Sequence, residues 1–462
     1  MLAWTAFALA ETPAPLDCAT PRLHAAGVER VADTPFPGPP LPEKVTRNAY
    51  SGVVNVHETE NFAIWWGSQS PATDAHVQAL GDAFETSWTA QIDGLGFPMP
   101  IGSDVNRFNV YLGDTGNGAP SAEGAAGYYY YDSAGSPMIV IDKQLVTEPF
   151  TARLTAGHEF HHAVQDPTGG FVYDDLGAWY HEACANWVLT HVFPGNEGYA
   201  AAVHAVALRP EISLTHFPDV WTGAVEDEHP YGAVLFPVAM EESHGWELIR
   251  DSWLEAPRGA DPLEVLEGLL GDVSIREMHL DYAARNATWD YADAQNLVEW
   301  VEWYEDQLDS HRIAGVVEEA SGEWVGPVDH PPQTLGVNQW SLESMPSSFT
   351  LDFSGLETAR WDVAVVALGD GKHSRWTASA TDGVGQLVVE DWGDPETAYV
   401  VVAADAGSVS DGTVYDYEFR ITEGLPPEED PKGLGCGCSQ SPTRPFMGWS
   451  LAVLGVLLIR RR

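Results

Sequence analysis

The sequence predicts an α+β protein in which a mixed sheet is followed by helices, and an all-β sandwich closes the folded part of the chain. Three observations predict it. Short apolar runs of strand length occur on either side of one amphipathic helix in the first third. A mainly helical stretch follows from about Phe150 to Ile313. Past Gly326, short alternating or apolar runs recur at regular spacing between Gly, Asp and Ser turns. In order, Asn61 to Trp66 reads as a strand, and Ala72 to Leu95 as a helix with Val77, Leu80, Phe84 and Trp88 near a 3.6-residue period. Phe108 to Leu112 and Met138 to Ile141 are strands, with Gly127 to Tyr131 an edge strand between them. The later helices are Tyr231 to Glu242, Trp246 to Glu255, Pro262 to Leu270 and Tyr291 to Leu308. Six strands from Trp340 to Ile421 make the sandwich. The expected boundaries are 56–325 for the first domain and 326–423 for the sandwich.

Composition narrows the function classes. The chain has 462 residues, 44% of them hydrophobic, so it can bury two or three cores. With Asp+Glu at 68 against Lys+Arg at 22, the net charge is -46, which repels phosphate backbones and excludes nucleic acid as a partner. Such an excess suits divalent cations, cationic substrates or a salty exterior.

The ends carry targeting features. Residues 1–10 hold an apolar run ending in Ala8-Leu9-Ala10, which reads as a secretory signal segment. Residues 11–55 are rich in proline and read as an extended lead into the first domain or as a pro-segment. A linker at 424–445 leads to an apolar run of 14 residues, Phe446 to Ile459, which is followed by Arg460-Arg461-Arg462. The run is shorter than the roughly 17–20 residues a comfortable span needs, and the arginines favour the cytoplasmic side. Gly435-Cys436-Gly437-Cys438-Ser439 with this run and arginine cluster resembles the MYXO-CTERM tail of myxobacterial secreted proteins. The resemblance implies export, membrane association through residues 446–462 before processing near Cys436 and Cys438, and retention at the cell surface. Cys18 and Cys184 are the two remaining cysteines, and a bridge between them is one reading.

The chemistry centres on His158-Glu159-Phe160-His161-His162. On a helix capped by Thr147, with Pro149 in its first turn, His158 and His162 project from one face and reach one ion. Glu159 is offset by about 100° and can face a water instead. Trp179 to Trp187 reads as a second helix, with Glu182 20 positions after His162. A loop containing Gly169-Gly170 can turn it back toward the histidines as a third ligand.

Residues 151–189 resemble the gluzincin metallopeptidases, the thermolysin-like group. The resemblance implies a zincin-like catalytic domain, one zinc per chain held by His158, His162 and Glu182, and Glu159 as general base. It implies a protein or peptide substrate cleaved by metal-activated water. An acid often sits four residues after the third ligand; here the position is Asn186, which can accept an imidazole N–H from His158. His229-Pro230-Tyr231 opens a helix where the group often places an oxyanion donor, with Tyr231 the first choice and His229 the alternate. Asp166, Asp174 and Asp175 invite calcium, but no EF-hand spacing supports it, and they read as solvated loop. The leading expectation is an exported zinc metallopeptidase retained at the surface. Its rivals are a surface adhesin with a vestigial zinc site and a zinc amidase acting on cell-wall peptides.

Overall fold

A computed structural model describes residues 18–20, 23, 44–173, 176–195, 197–327, 329–407 and 412–426. The signal segment, most of the linker, the tail with Cys436 and Cys438, and Asp174 and Asp175 lie outside them. Among the described residues no helix is long and apolar enough to cross a membrane. The architecture is α+β.

The first sheet is built from β1 (Asn55–Glu58), β2 (Phe62–Trp66), β3 (Phe108–Gly113), β4 (Gly127–Tyr131) and β5 (Pro137–Asp142). Its order is β1-β2-β3-β5-β4, with β2, β3 and β5 parallel and the two outer strands antiparallel to their neighbours. The central strands read as near-continuous apolar runs because both faces are covered. Phe62, Ile64, Val110, Leu112, Ile139 and Ile141 face the main core, while the alternate residues Ala63, Trp65, Tyr111 and Val140 face a smaller one. β4 is the edge strand that the sequence predicts.

The helices are α1 (Asp74–Trp88), α2 (Pro149–Gln165), α3 (Ala178–Trp187), α4 (Leu189–Val192), α5 (Val203–Leu208), α6 (His229–Gly232), α7 (Leu235–His244), α8 (Glu247–Glu255), α9 (Pro262–Leu270), α10 (Ile275–Thr288) and α11 (Ala294–Glu305). Thr147 does not cap α2. Its hydroxyl donates to Gln144 O in the preceding turn, and Glu148 holds the cap position with Pro149 as first helical residue. The helix expected over 231–242 is two helices, α6 and α7. Pro237 has no N–H to donate backward, so it fits only in a first turn, and the helix restarts at Leu235. The expectations missed α10 as a separate helix.

The sandwich starts earlier than residue 326. β6 (Gly315–Val317) pairs with β8 (Val337–Leu342), and β7 (Ser321–Val325) pairs with β14 (Tyr417–Glu423), so both belong to it rather than to the first domain. With β9 (Phe349–Gly355), β10 (Arg360–Gly369), β11 (Lys372–Ser379), β12 (Val384–Val389) and β13 (Thr397–Asp405), they form sheets of order β11-β10-β13-β8-β6 and β12-β9-β14-β7. The core between the sheets includes Phe349, Leu351, Phe353, Trp361, Val363, Val365, Val400 and Phe419. β11 escapes the sequence reading because it is a polar outer strand on which Trp376 alone is buried.

The five-stranded sheet is covered on its other face too. Val337, Ala364, Val366, Val401 and Ala403 pack against Leu280, Ala283, Ala284 and Ala287 of α10. Arg276 on the same helix clamps Asp362 through two 2.8 Å contacts and donates to Trp361 O. Met278 and Tyr282 of α10 face the main core instead. A helix buried on two sides joins the two bodies.

Candidate metal centre

Fourteen of the residues of α2 are buried, so it runs through the body rather than over it. Pro149 starts it, and Pro167 and the left-handed Gly169 (φ 66°) end it. Gly157 allows close approach to α4, since a Cβ there would lie 2.7 Å from Leu189 Cδ2. α3 packs against α2, and all ten of its residues are buried.

Between these two helices His158 Nε2 lies 3.2 Å from His162 Nε2 and 3.2 Å from Glu182 Oε2. Glu182 Oε1 is 3.6 Å from His162 Nε2 and, though buried, has no hydrogen-bond partner. Two ligands about 2.05 Å from one tetrahedral ion sit roughly 3.3 Å apart, so these spacings fit an ion among the three groups. The structure therefore brings together the three residues that the sequence singles out, in a buried group that could hold a metal. A fourth member, Cys18, was not foreseen. Its Sγ is 3.6 Å from His162 Nε2, and one ligand atom from each of the four residues lies within 4.8 Å of the others.

The outer nitrogens are also engaged. His158 Nδ1 is 2.9 Å from Asn186 Oδ1, while the Asn186 amide donates to Tyr231 O, which fixes the oxygen toward the imidazole. His162 Nδ1 is 2.8 Å from Gln165 Oε1 and 2.9 Å from the Tyr173 hydroxyl. With both Nδ1 positions held, both Nε2 atoms are left to face a metal ion that the group could hold. Gln165 and Tyr173 are further groups that sequence reasoning missed. Gln165 carried a readable signal, three positions after His162 on the same helix face. His181 faces away from His158, His162 and Glu182: its Nδ1 contacts Gln165 Oε1, and its ring stacks on Tyr173 at 3.9 Å. His161 is buried on the far side, 3.0 Å from Gln91 Oε1.

Glu159 is 1% exposed and accepts from Thr20 Oγ1 at 3.3 Å and from Cys18 Sγ at 3.5 Å. Burial pushes its carboxyl up to about 7, with His158 pulling the other way; a divalent cation alongside would draw it down again. For Glu182 burial likewise disfavours the charge, but the two imidazoles outweigh it and hold the carboxyl well below its usual range. Gly127 on β4 lies directly under Glu159, since a Cβ there would come within 3.1 Å of Glu159 Cγ and 2.9 Å of Thr155 Cγ2.

The two oxyanion candidates separate. The Tyr231 ring is 6.0 Å from the His158 ring, and its hydroxyl donates to Cys18 O at 3.4 Å. His229 faces elsewhere, hydrogen-bonded to the Arg209 backbone and edge-on to His216. For calcium, Asp166 instead accepts from the Tyr129 and Tyr131 hydroxyls, a use the solvated-loop expectation did not foresee. Cys18 and Cys184 are both free thiols, so the bridge between them does not form.

The family model described as "Family of unknown function (DUF6055)" matches residues 44–414. The chain belongs to that family. The match covers the sheet, the helices holding the cluster and nearly all of the sandwich, and it starts after Cys18. No curated protein matches the chain.

Proposed function

We propose that the chain is an exported zinc metallopeptidase of gluzincin type, with a zincin-like catalytic domain built on the first sheet and α2. The observation that carries this reading is the meeting of His158 Nε2, His162 Nε2 and Glu182 Oε2 with the Glu159 carboxylate beside them. Two imidazoles and one carboxylate form a donor set suited to zinc, and three protein ligands are the number typical of a catalytic site. A zinc ion held there would supply Lewis acidity and lower the pKa of a coordinated water to about 7.

The chain's own residues do the rest. Glu159 takes a proton from the attacking water and gives it to the leaving amine nitrogen. Asn186 and Gln165 keep the imidazoles oriented through Nδ1. Tyr231 donates its hydroxyl to the carbonyl oxygen as negative charge develops there. β4 offers backbone groups along its outer edge, where an extended peptide can add as a strand. A purely structural zinc site has no use for a base beside the metal, and this favours the peptidase over an adhesin with a vestigial site. The features at the two ends of the sequence support export and retention at the surface.

The purified protein is expected to carry about one zinc per chain and to lose casein hydrolysis to a chelator, with activity returning on zinc addition. Full activity in a metal-free preparation would end this reading. Gly127→Ala is expected to keep the metal and lower turnover by about ten- to a hundredfold, because the new methyl displaces Glu159 and not the ligands. Metal analysis beside steady-state kinetics checks both halves.

A further inference from the structure

We propose that Cys18 is a fourth metal ligand, and that it keeps most of the chain's population latent, with a minor competent fraction, by filling the position that catalysis needs open. This rests on the zinc reading above and concerns the regulation of the same site. A nitrogen and a thiolate sulfur bound to one tetrahedral zinc, at about 2.05 and 2.3 Å, lie roughly 3.6 Å apart. Cys18 Sγ is 3.6 Å from His162 Nε2, and the thiol is 1% exposed. On coordination the S–H bond breaks, the sulfur–metal bond forms, and the proton passes to Glu159 Oε2, which already accepts the thiol's hydrogen bond at 3.5 Å.

The residues around Cys18 hold it there. Cys18 bridges Gly127 in parallel register, Ala19 N donates to Gly127 O at 3.0 Å, and Tyr129 N donates to Thr20 Oγ1 at 2.8 Å. Residues 18–20 thus lie along the outer edge of β4, the place where a peptide substrate would add. Thr20 Oγ1 also donates to Glu159, and the Tyr231 hydroxyl donates to Cys18 O. One short segment therefore engages the metal ligands, the base, the oxyanion donor and the strand edge. An active peptidase needs the metal's remaining position, the base, the donor and the strand edge open to substrate and water.

Cobalt(II) substitution tests this without relying on activity. The full-length protein loaded with cobalt should show a thiolate-to-cobalt charge-transfer band in the near ultraviolet. C18A and C18S should lack that band and keep the visible bands of bound cobalt, which also report that the variants fold. Casein hydrolysis by the zinc-loaded variants should rise about tenfold or more over the parent, as the competent fraction grows. A parent that binds cobalt without the sulfur band overturns the assignment of Cys18 and leaves the zinc reading standing. A sulfur band with no gain in C18A or C18S makes Cys18 a structural ligand and overturns latency. A parent that takes up no metal overturns the zinc reading first, and this inference with it.

Discussion

Glu159→Gln is expected to retain its metal and to lose about a hundred- to ten-thousandfold in turnover, the usual contribution of a positioned general base. The substitution preserves shape, and the amide oxygen can still accept from Thr20 Oγ1, which sits 3.3 Å from the carboxylate. None of the three ligand atoms moves, so metal content should equal that of the parent. Loss should fall on kcat, since the base acts in the transition state and not in substrate binding. The measurement is kcat and KM on a fluorogenic peptide beside zinc content by mass spectrometry. A loss of only a few-fold, with zinc in place, would move the base to another group.

Glu182→Ala should be more damaging to the metal. Structural zinc sites bind with roughly 10–16 kcal/mol at neutral pH, so one ligand in three or four accounts for about 3 kcal/mol, more than a hundredfold in affinity. Removing this carboxylate also leaves the His158 and His162 Nε2 atoms, 3.2 Å apart, without their buried anion. Glu182→Asp, one methylene shorter, should keep part of both affinity and turnover. Competition titration with a chromogenic zinc chelator ranks the three proteins. If Glu182→Ala holds zinc as tightly as the parent, the gluzincin-type ligand set is wrong, although zinc hydrolysis at the two histidines would survive.

The meeting of His158, His162 and Glu182 was legible in the sequence because it depends on local geometry. Four-residue spacing on one helix places His158 beside His162, and a short return brings Glu182 to them from the next helix. Tyr231 and Asn186 were singled out by the gluzincin resemblance, and the structure places both beside His158. Cys18 was not legible, since it lies 141 positions from Glu159 and reaches the site only through pairing with the edge of β4. No periodicity connects residues so far apart. The missed helix α10 has a different cause. It buries Met278 and Tyr282 toward one core and Leu280, Ala283 and Ala284 toward another, so no single apolar stripe marks it. Its N-terminus did carry a signal, for Ser274 and Glu277 form a capping box. β6 and β7 were assigned to the wrong body because they are short and largely exposed, and their membership is set by distant partners.

The face that α10 shares with the five-stranded sheet bears on how such a chain can be inherited. A sandwich joined by a linker could be lost, duplicated or exchanged with little effect on its neighbour. Here, separation would uncover Val337, Ala364, Val366, Val401 and Ala403 on one piece and Leu280, Ala283, Ala284 and Ala287 on the other, and would strand Arg276 without Asp362. Each half alone would present an aggregation-prone surface. Recombination between them is thereby disfavoured, and a family match that spans 44 to 414 accords with a first body and a sandwich that descend together as one unit.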